Sequence, residues 1–167
     1  FNGQSKKGVA AMEREWNNLG VAEPYSAGAV ARLFSRQHRR AVDIDSCRAV
    51  LEVGIDGATV IILRGDQIVF CKSLDIGGHR FNHRVAEKLC LDVDSAAELR
   101  QARLCREPGS KFIDPSTEQA VHEAVRPLLG ELARNVLMCL RYVAVTFRGI
   151  APEMIVVTGA DGCEPGL

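Results

Sequence analysis

An α/β fold with a mixed sheet flanked by helices is what this sequence predicts, and three observations predict it. Three short apolar runs stand close together after residue 47, joined by glycine turns so short that the strands must form an antiparallel meander. A much longer stretch beginning near Ser116 repeats its apolar residues at helical spacing. A last apolar run then ends in TGADGCEPG, the pattern of a buried strand running into a glycine-rich turn.

Taken in order, Val9, Met12, Trp16 and Leu19 fall on one helical face, and Gly20 follows where a left-handed cap ends a helix. After the Glu23-Pro24 turn, Ser26 caps a second helix whose inward face uses Ala27, Val30, Ala31 and Phe34. That helix runs out into Arg36, His38, Arg39 and Arg40, cations suited to the negative end of a helix dipole. The three strands are expected at Arg48–Val53, Thr59–Leu63 and Ile68–Leu74. Gly77-Gly78 breaks the third, and Phe81, Val85 and Leu89 mark one face of the next helix. Ser95 with Glu98 predicts a capping box for a short helix, and Ser116 with Gln119 predicts another for the long one. The loop from Arg106 to Pro115 separates these two helices. Val121, Val125, Leu128, Leu132, Val136, Leu140 and Val143 continue the long helix, which Pro127 is expected to kink or divide. Glu153–Val157 is the last strand.

Composition narrows the function classes. Twenty-one basic residues balance twenty-one acidic ones, so no field favours nucleic acid or an anionic membrane as the main partner. No run approaches the ~20 apolar residues that span a bilayer. The six cysteines show no C-x-x-C spacing and mostly sit in apolar runs, which reads as small buried side chains in a reducing compartment. His79 and His83 share a helical face, but no carboxylate or cysteine joins them at ligand spacing, so a solvated pair outweighs a metal site. The chain opens on Phe1 and stops after a Gly/Pro-rich run, and it is read as a fragment.

Three stretches hold chemistry. In LEVGIDGATVII, Glu52 and Gly54 stand at a strand end with Thr59 on the next strand. A carboxylate there suits a hydrated Mg²⁺, and a glycine turn lets backbone N–H groups approach a phosphate; a plain hairpin is the competing reading. In ELARNVLMCLRYV, Glu131 and Arg134 share one helix face, as a site pair or as an exposed ion pair. In VTGADGCEPGL, Gly159, Gly162 and Gly166 follow a strand and permit close approach of a base or phosphate.

The order of these pieces resembles the PilM family of type IV pilus assembly proteins, bacterial relatives of actin, of FtsA and of the sugar kinases. LEVGIDGATVIILRGDQIVFCKSLDIGG is similar to the family's second phosphate motif, an Asp-x-Gly strand leading into a hairpin and an Ile-Gly-Gly turn. Ala97-Glu98 with nearby Arg100 resembles its Ala-Glu-x-x-Lys helix. Glu131 and Arg134 match its Glu-x-x-Arg helix, and Thr158-Gly159 through Leu167 resembles its adenosine motif.

The resemblance implies a ribonuclease-H-like, actin-like ATPase fold, with residues 1–47 a helical part of the preceding family segment and 48–167 the second lobe, truncated at both ends. It implies ATP and Mg²⁺ as cofactors, the metal held by Glu52 and the nucleotide met by Glu52, Gly54, Thr59, Glu131, Arg134, Gly159 and Gly162. It further implies a cytoplasmic scaffold, peripheral at the inner membrane through a partner such as a PilN-like pilus assembly protein or a neighbouring subunit. Three departures bear on this. Glu52 replaces the family's aspartate, and Ala160 and Asp161 replace glycines, so a Cβ and a negative charge stand in the adenosine turn. The first phosphate loop has no counterpart, so hydrolysis by this chain alone is not expected, and self-association near the adenosine turn is. The alternatives are a degenerate partner-binding module without nucleotide, similar to GspL, and a fragment of a sugar-kinase-type phosphotransferase.

Overall fold

The computed structural model describes residues 29, 46–65, 67–104, 114–147 and 151–167. The two expected helices before residue 46 and most of the loop from Arg106 lie outside the described residues, apart from helical Ala29.

Three strands follow one another as β1 (Cys47–Val53), β2 (Ala58–Arg64) and β3 (Gln67–Leu74). They pair antiparallel in sequence, Glu52 opposite Thr59 and Thr59 opposite Ser73, as their short connections require. A bulge between Ile62 and Leu63 shifts the β2–β3 register toward the hairpin end. Three helices come next: α1 (Gly78–Leu89), α2 (Val93–Leu104) and α3 (Pro115–Thr146). The chain then returns as β4 (Met154–Thr158), parallel to β1, giving the sheet order β3-β2-β1-β4. A parallel return needs a long crossover, and the helices supply it.

Alternation along the strands divides the side chains between two faces. Cys47, Ala49, Leu51 and Val53 of β1, with Val60 and Ile62 of β2, pack on Phe81 and Val85 of α1 and on the α3 stripe Val121–Val125–Leu128–Leu132–Val136. Phe81 is fully buried, worth about 1.5–3 kcal/mol in hydrophobic transfer alone. Val50, Ile61, Leu63 and Cys71 are buried on the opposite face.

Several local expectations are corrected. Helix α2 starts at Val93 rather than after Ser95, because Asp92 is the cap: its Oδ1 accepts from the Ser95 backbone N–H at 2.8 Å. The Ser95 hydroxyl, and then the backbone N–H groups, hold the Asp92 carboxyl below the usual carboxylate range. Asp114, not Ser116, caps α3, with Pro115 at the first helical position. Pro127 does not divide α3, which runs through it as one helix. Residue 127 is exposed, so the carbonyl freed by its missing N–H faces the solvent side, where water can satisfy it. Finally β4 is not buried. Among the described strands it pairs with β1 alone, and Met154, Ile155 and Val157 are exposed.

The cysteines divide likewise. Cys47, Cys71 and Cys139 are buried, but Cys163 is exposed and so is Cys90, which ends α1 in the left-handed conformation. Burial, and secondarily the Glu52 charge, push the Cys71 thiol up to about 11, so about one Cys71 in a thousand is thiolate at about pH 8. Iodoacetamide at that pH is expected to label Cys90 and Cys163 rapidly and to leave Cys71 untouched until the protein is denatured. Equal labelling rates before denaturation would contradict the burial of Cys71.

Candidate functional site

Three chain turns meet at the carboxyl end of β1. In the first, after Val53, the Gly54 N–H donates to the Gly57 carbonyl at 2.9 Å. The second, at the start of α1, docks directly on it: Gly78 N–H donates to Gly54 O at 3.0 Å and His79 N–H to Ile55 O at 2.8 Å. The approach is backbone on backbone, since a Cβ at Gly77 would fall 2.5 Å from the Gly57 nitrogen. The third turn follows β4, where Gly159 adopts φ +100 and the Asp161 N–H donates to Val53 O at 3.0 Å. Each turn thus satisfies its polar backbone on another.

Beside these turns the ladder aligns Thr158, Glu52, Thr59 and Ser73 in one row across all four strands, on the face away from the helices. The preceding row is apolar: Val156, Val50, Ile61 and Cys71. Glu52 Oε2 is buried and has no hydrogen-bond partner among the described residues. A buried carboxylate oxygen left unpaired is costly unless a cation or donor completes it.

Behind the third turn lies a buried ionic cluster. Arg100 of α2 is 3% exposed; its Nη2 lies 2.7 Å from Asp161 Oδ1 and 2.8 Å from Glu164 Oε2. Its Nη1 donates to Asn82 Oδ1 at 2.6 Å and to the Gly78 carbonyl at 3.3 Å, and its guanidinium lies 5.0 Å from the Phe81 ring centroid. Arg103 Nη1 stands 3.0 Å from Glu164 Oε1, but the atoms are not aligned as a hydrogen bond, so that contact is ionic. One side chain therefore joins α2, the start of α1 and the turn after β4.

The structure gathers Glu52, Gly54, Thr59, Gly159 and Gly162 of the expected site; the Gly162 N–H donates to Gly159 O at 3.1 Å within the third turn. Glu131 and Arg134 lie on α3, away from the hairpin and the turn after β4 in sequence. Glu131 faces Arg80 of α1 at 3.5 Å, and Tyr142, on the same flank of α3, sets its ring tilted by 46° with its centroid 5.7 Å from that of Phe70 of β3. The C-terminal turn instead reaches the other flank, where Gly166 abuts Leu129 and His122. Residues 129 and 131 diverge by about 200° around a helix, so Glu131 and the Leu129 contact with the C-terminal turn lie on different flanks of α3. The expectation for Asp161 is corrected too. Its carboxylate is turned inward onto Arg100, so its charge does not face an approaching nucleotide.

Sequence reasoning missed Arg103, Glu164 and Asn82, and gave Arg100 no structural role. The signal was present but inverted: Ala96, Arg100 and Arg103 form a buried i, i+4, i+7 stripe in which only alanine is apolar.

No protein-family model matches the sequence, and no curated protein matches it. Solved structures do. The chain is similar to a PilM-PilN type IV pilus biogenesis complex at TM-score 0.62 and 22% identity, over 81% of this chain and 35% of that one. It is similar to MreB 5 of Spiroplasma citri bound to AMPPNP at TM-score 0.57 and 11% identity, covering 82% of this chain and 47% of that one. It is also similar to Ta0583, an archaeal actin homolog in complex with ADP, at TM-score 0.54 and 17% identity, covering 83% and 44%. The chain thus spans less than half the length of each. Sheet order, crossover and these likenesses agree that the chain has the actin-like ATPase fold.

Proposed function

We propose that this chain is the nucleotide-facing lobe of an actin-like scaffold for pilus assembly. The single observation that carries the nucleotide part is Glu52 Oε2, a buried carboxylate oxygen with no partner among the described residues, set in a row of hydroxyls beside three interlocked glycine turns. That donor set suits a hydrated Mg²⁺, an oxygen-seeking cation that keeps several waters and bridges phosphates. Bound Mg²⁺–nucleotide would supply a charged clamp between lobes. Glu52 would hold the metal's water shell, Thr59 and Thr158 would orient it, and the turns at Gly54 and Gly159 would admit the phosphates and sugar close to the backbone.

The similarity to a PilM-PilN complex supports the assembly role. Under this reading the protein is cytoplasmic and reaches the inner membrane through a PilN-like partner. Among the described residues no helix is long and apolar enough to cross a membrane. This stretch holds a single Asp-x-Gly-like strand, so the reading is of nucleotide bound without turnover by this stretch alone.

Titration with a fluorescent ATP analogue tests this. Saturable, Mg²⁺-dependent binding is expected, about tenfold weaker in Glu52→Gln, a loss of about 1.4 kcal/mol. Phosphate release should stay at background. Turnover that survives repurification and disappears in Glu52→Gln would overturn the non-hydrolytic part. Absence of binding with and without Mg²⁺ would return the nucleotide-free, partner-binding reading.

A further inference from the structure

The surface of α3 that faces the β3 edge is apolar and unusually exposed. Met138, Tyr142 and Val145 follow at i, i+4 and i+7, so they form one stripe along the helix, and they are 61%, 58% and 83% exposed. The stripe is anchored rather than loose. Tyr142 leans its ring on Phe70, and the opposite side of the same helix carries fully buried Leu132 and Val143. Large apolar side chains gathered on a rigid, well-packed element mark an interaction surface.

Charge defines what fits there. Arg134 and Arg141 border the stripe seven residues apart on its outer side, and both are exposed. Lys72 of β3 is close enough to act electrostatically on Cys139 of α3. Beyond the stripe's N-terminal end, Arg80, His83, Arg84 and Glu131 line a groove of about 430 Å³ between α1 and α3, together with Pro127 and Leu128. The neighbouring carboxylates, Glu131 and Glu87, already face Arg80 and Arg84 at 3.5 and 2.9 Å. In a chain with no net charge, this flank is therefore locally cationic.

We propose that this flank of α3 docks an amphipathic helix of a partner protein, one whose apolar stripe is bordered by acidic side chains. An apolar row at i, i+4, i+7 is the spacing that a second helix matches ridge into groove. The bordering arginines are complementary to carboxylates, and arginine is the cation best suited to interface pairing. The groove at the N-terminal end is concave, which suits an inserted side chain better than a flat lipid surface. This surface stands at the β3 edge, away from the glycine turns, so the proposal is independent of whether nucleotide binds.

The test uses the 167-residue chain and a labelled synthetic helix of roughly 15 residues with leucines at i, i+4, i+7 bordered by glutamates. A second peptide carries lysines in place of the glutamates, and a third is scrambled. Fluorescence anisotropy should show the glutamate helix binding at least about tenfold more tightly than either control, and more weakly in high salt. Met138→Ser with Tyr142→Ser should weaken it by about tenfold, and Arg134→Glu with Arg141→Glu should reverse the preference toward the lysine helix. All four positions are exposed, and a gained preference cannot arise from misfolding. Equal binding of the three peptides, or none, overturns the proposal. So does retention on phosphatidylserine vesicles that the serine variant abolishes, which assigns the surface to lipid. Concentration-dependent dimerisation abolished by the same variant assigns it to a second copy.

Discussion

Arg100→Met is expected to destabilise the protein by about 3–5 kcal/mol, because it leaves the Asp161 and Glu164 carboxylates buried with one cation between them. That is a large share of the roughly 5–15 kcal/mol that holds an ordinary domain folded. Thermal unfolding followed by circular dichroism should show a midpoint lower by roughly 10–15 °C. The cost lies in the stranded charges and not in the lost contact. Adding Asp161→Asn to Arg100→Met leaves Glu164 paired with Arg103 and should therefore recover most of the loss, whereas independent contributions would make the double variant worse still. Arg100→Lys keeps the charge but not the fork that reaches Asp161, Glu164 and Asn82 together, and it should fall between wild type and methionine. A methionine variant as stable as wild type would show that this cluster does not tie α2 to the turn after β4.

Gly159→Ala is expected to cost about 3–5 kcal/mol, from left-handed strain and backbone overlap together. At φ +100 a side chain is strained whatever the space, and here the added Cβ would also lie 2.3 Å from the Val53 carbonyl oxygen. Neither the strand nor the turn can yield without losing the Asp161 N–H bond to that same carbonyl. Gly166→Ala supplies the control. Its φ is also positive, but the nearest atoms are side-chain ends of Leu129 and His122 at 3.1 and 3.4 Å, so about 1 kcal/mol is expected. Chemical denaturation of the two variants separates the cases. Similar midpoints would mean that the turn is not pinned on β1. Amide exchange at Asp161 should rise selectively in Gly159→Ala, since that N–H loses its acceptor.

Much of the architecture was legible along the chain. The meander could be read from the short glycine turns at 54–57 and 64–67, because connections that short leave adjacent strands no choice but to pair antiparallel. The long helix could be read from its 3.6-residue period, and the convergence of Glu52, Gly54 and Thr59 from their neighbouring positions on one hairpin. Cap positions were legible only in part. Asp92 and Asp114 each stand just ahead of a serine that also fits a capping signature, and only the path of the backbone chooses between them. What the tertiary structure alone decided is long-range and polar. Arg100 meets Asp161 and Glu164 across more than sixty residues, and no periodicity announces a buried arginine whose stripe reads as solvent-facing. Glu131 and Arg134 were matched by type and spacing, yet which edge of the sheet they face depends on the rotation of α3 over the core, set by where Leu128, Leu132 and Val136 find their packing. Local spacing follows from bond geometry and hydrogen-bond period, which act within a few residues. The pairing of distant charges and the facing of a helix follow from desolvation and close packing, which exist only once the chain has closed on itself.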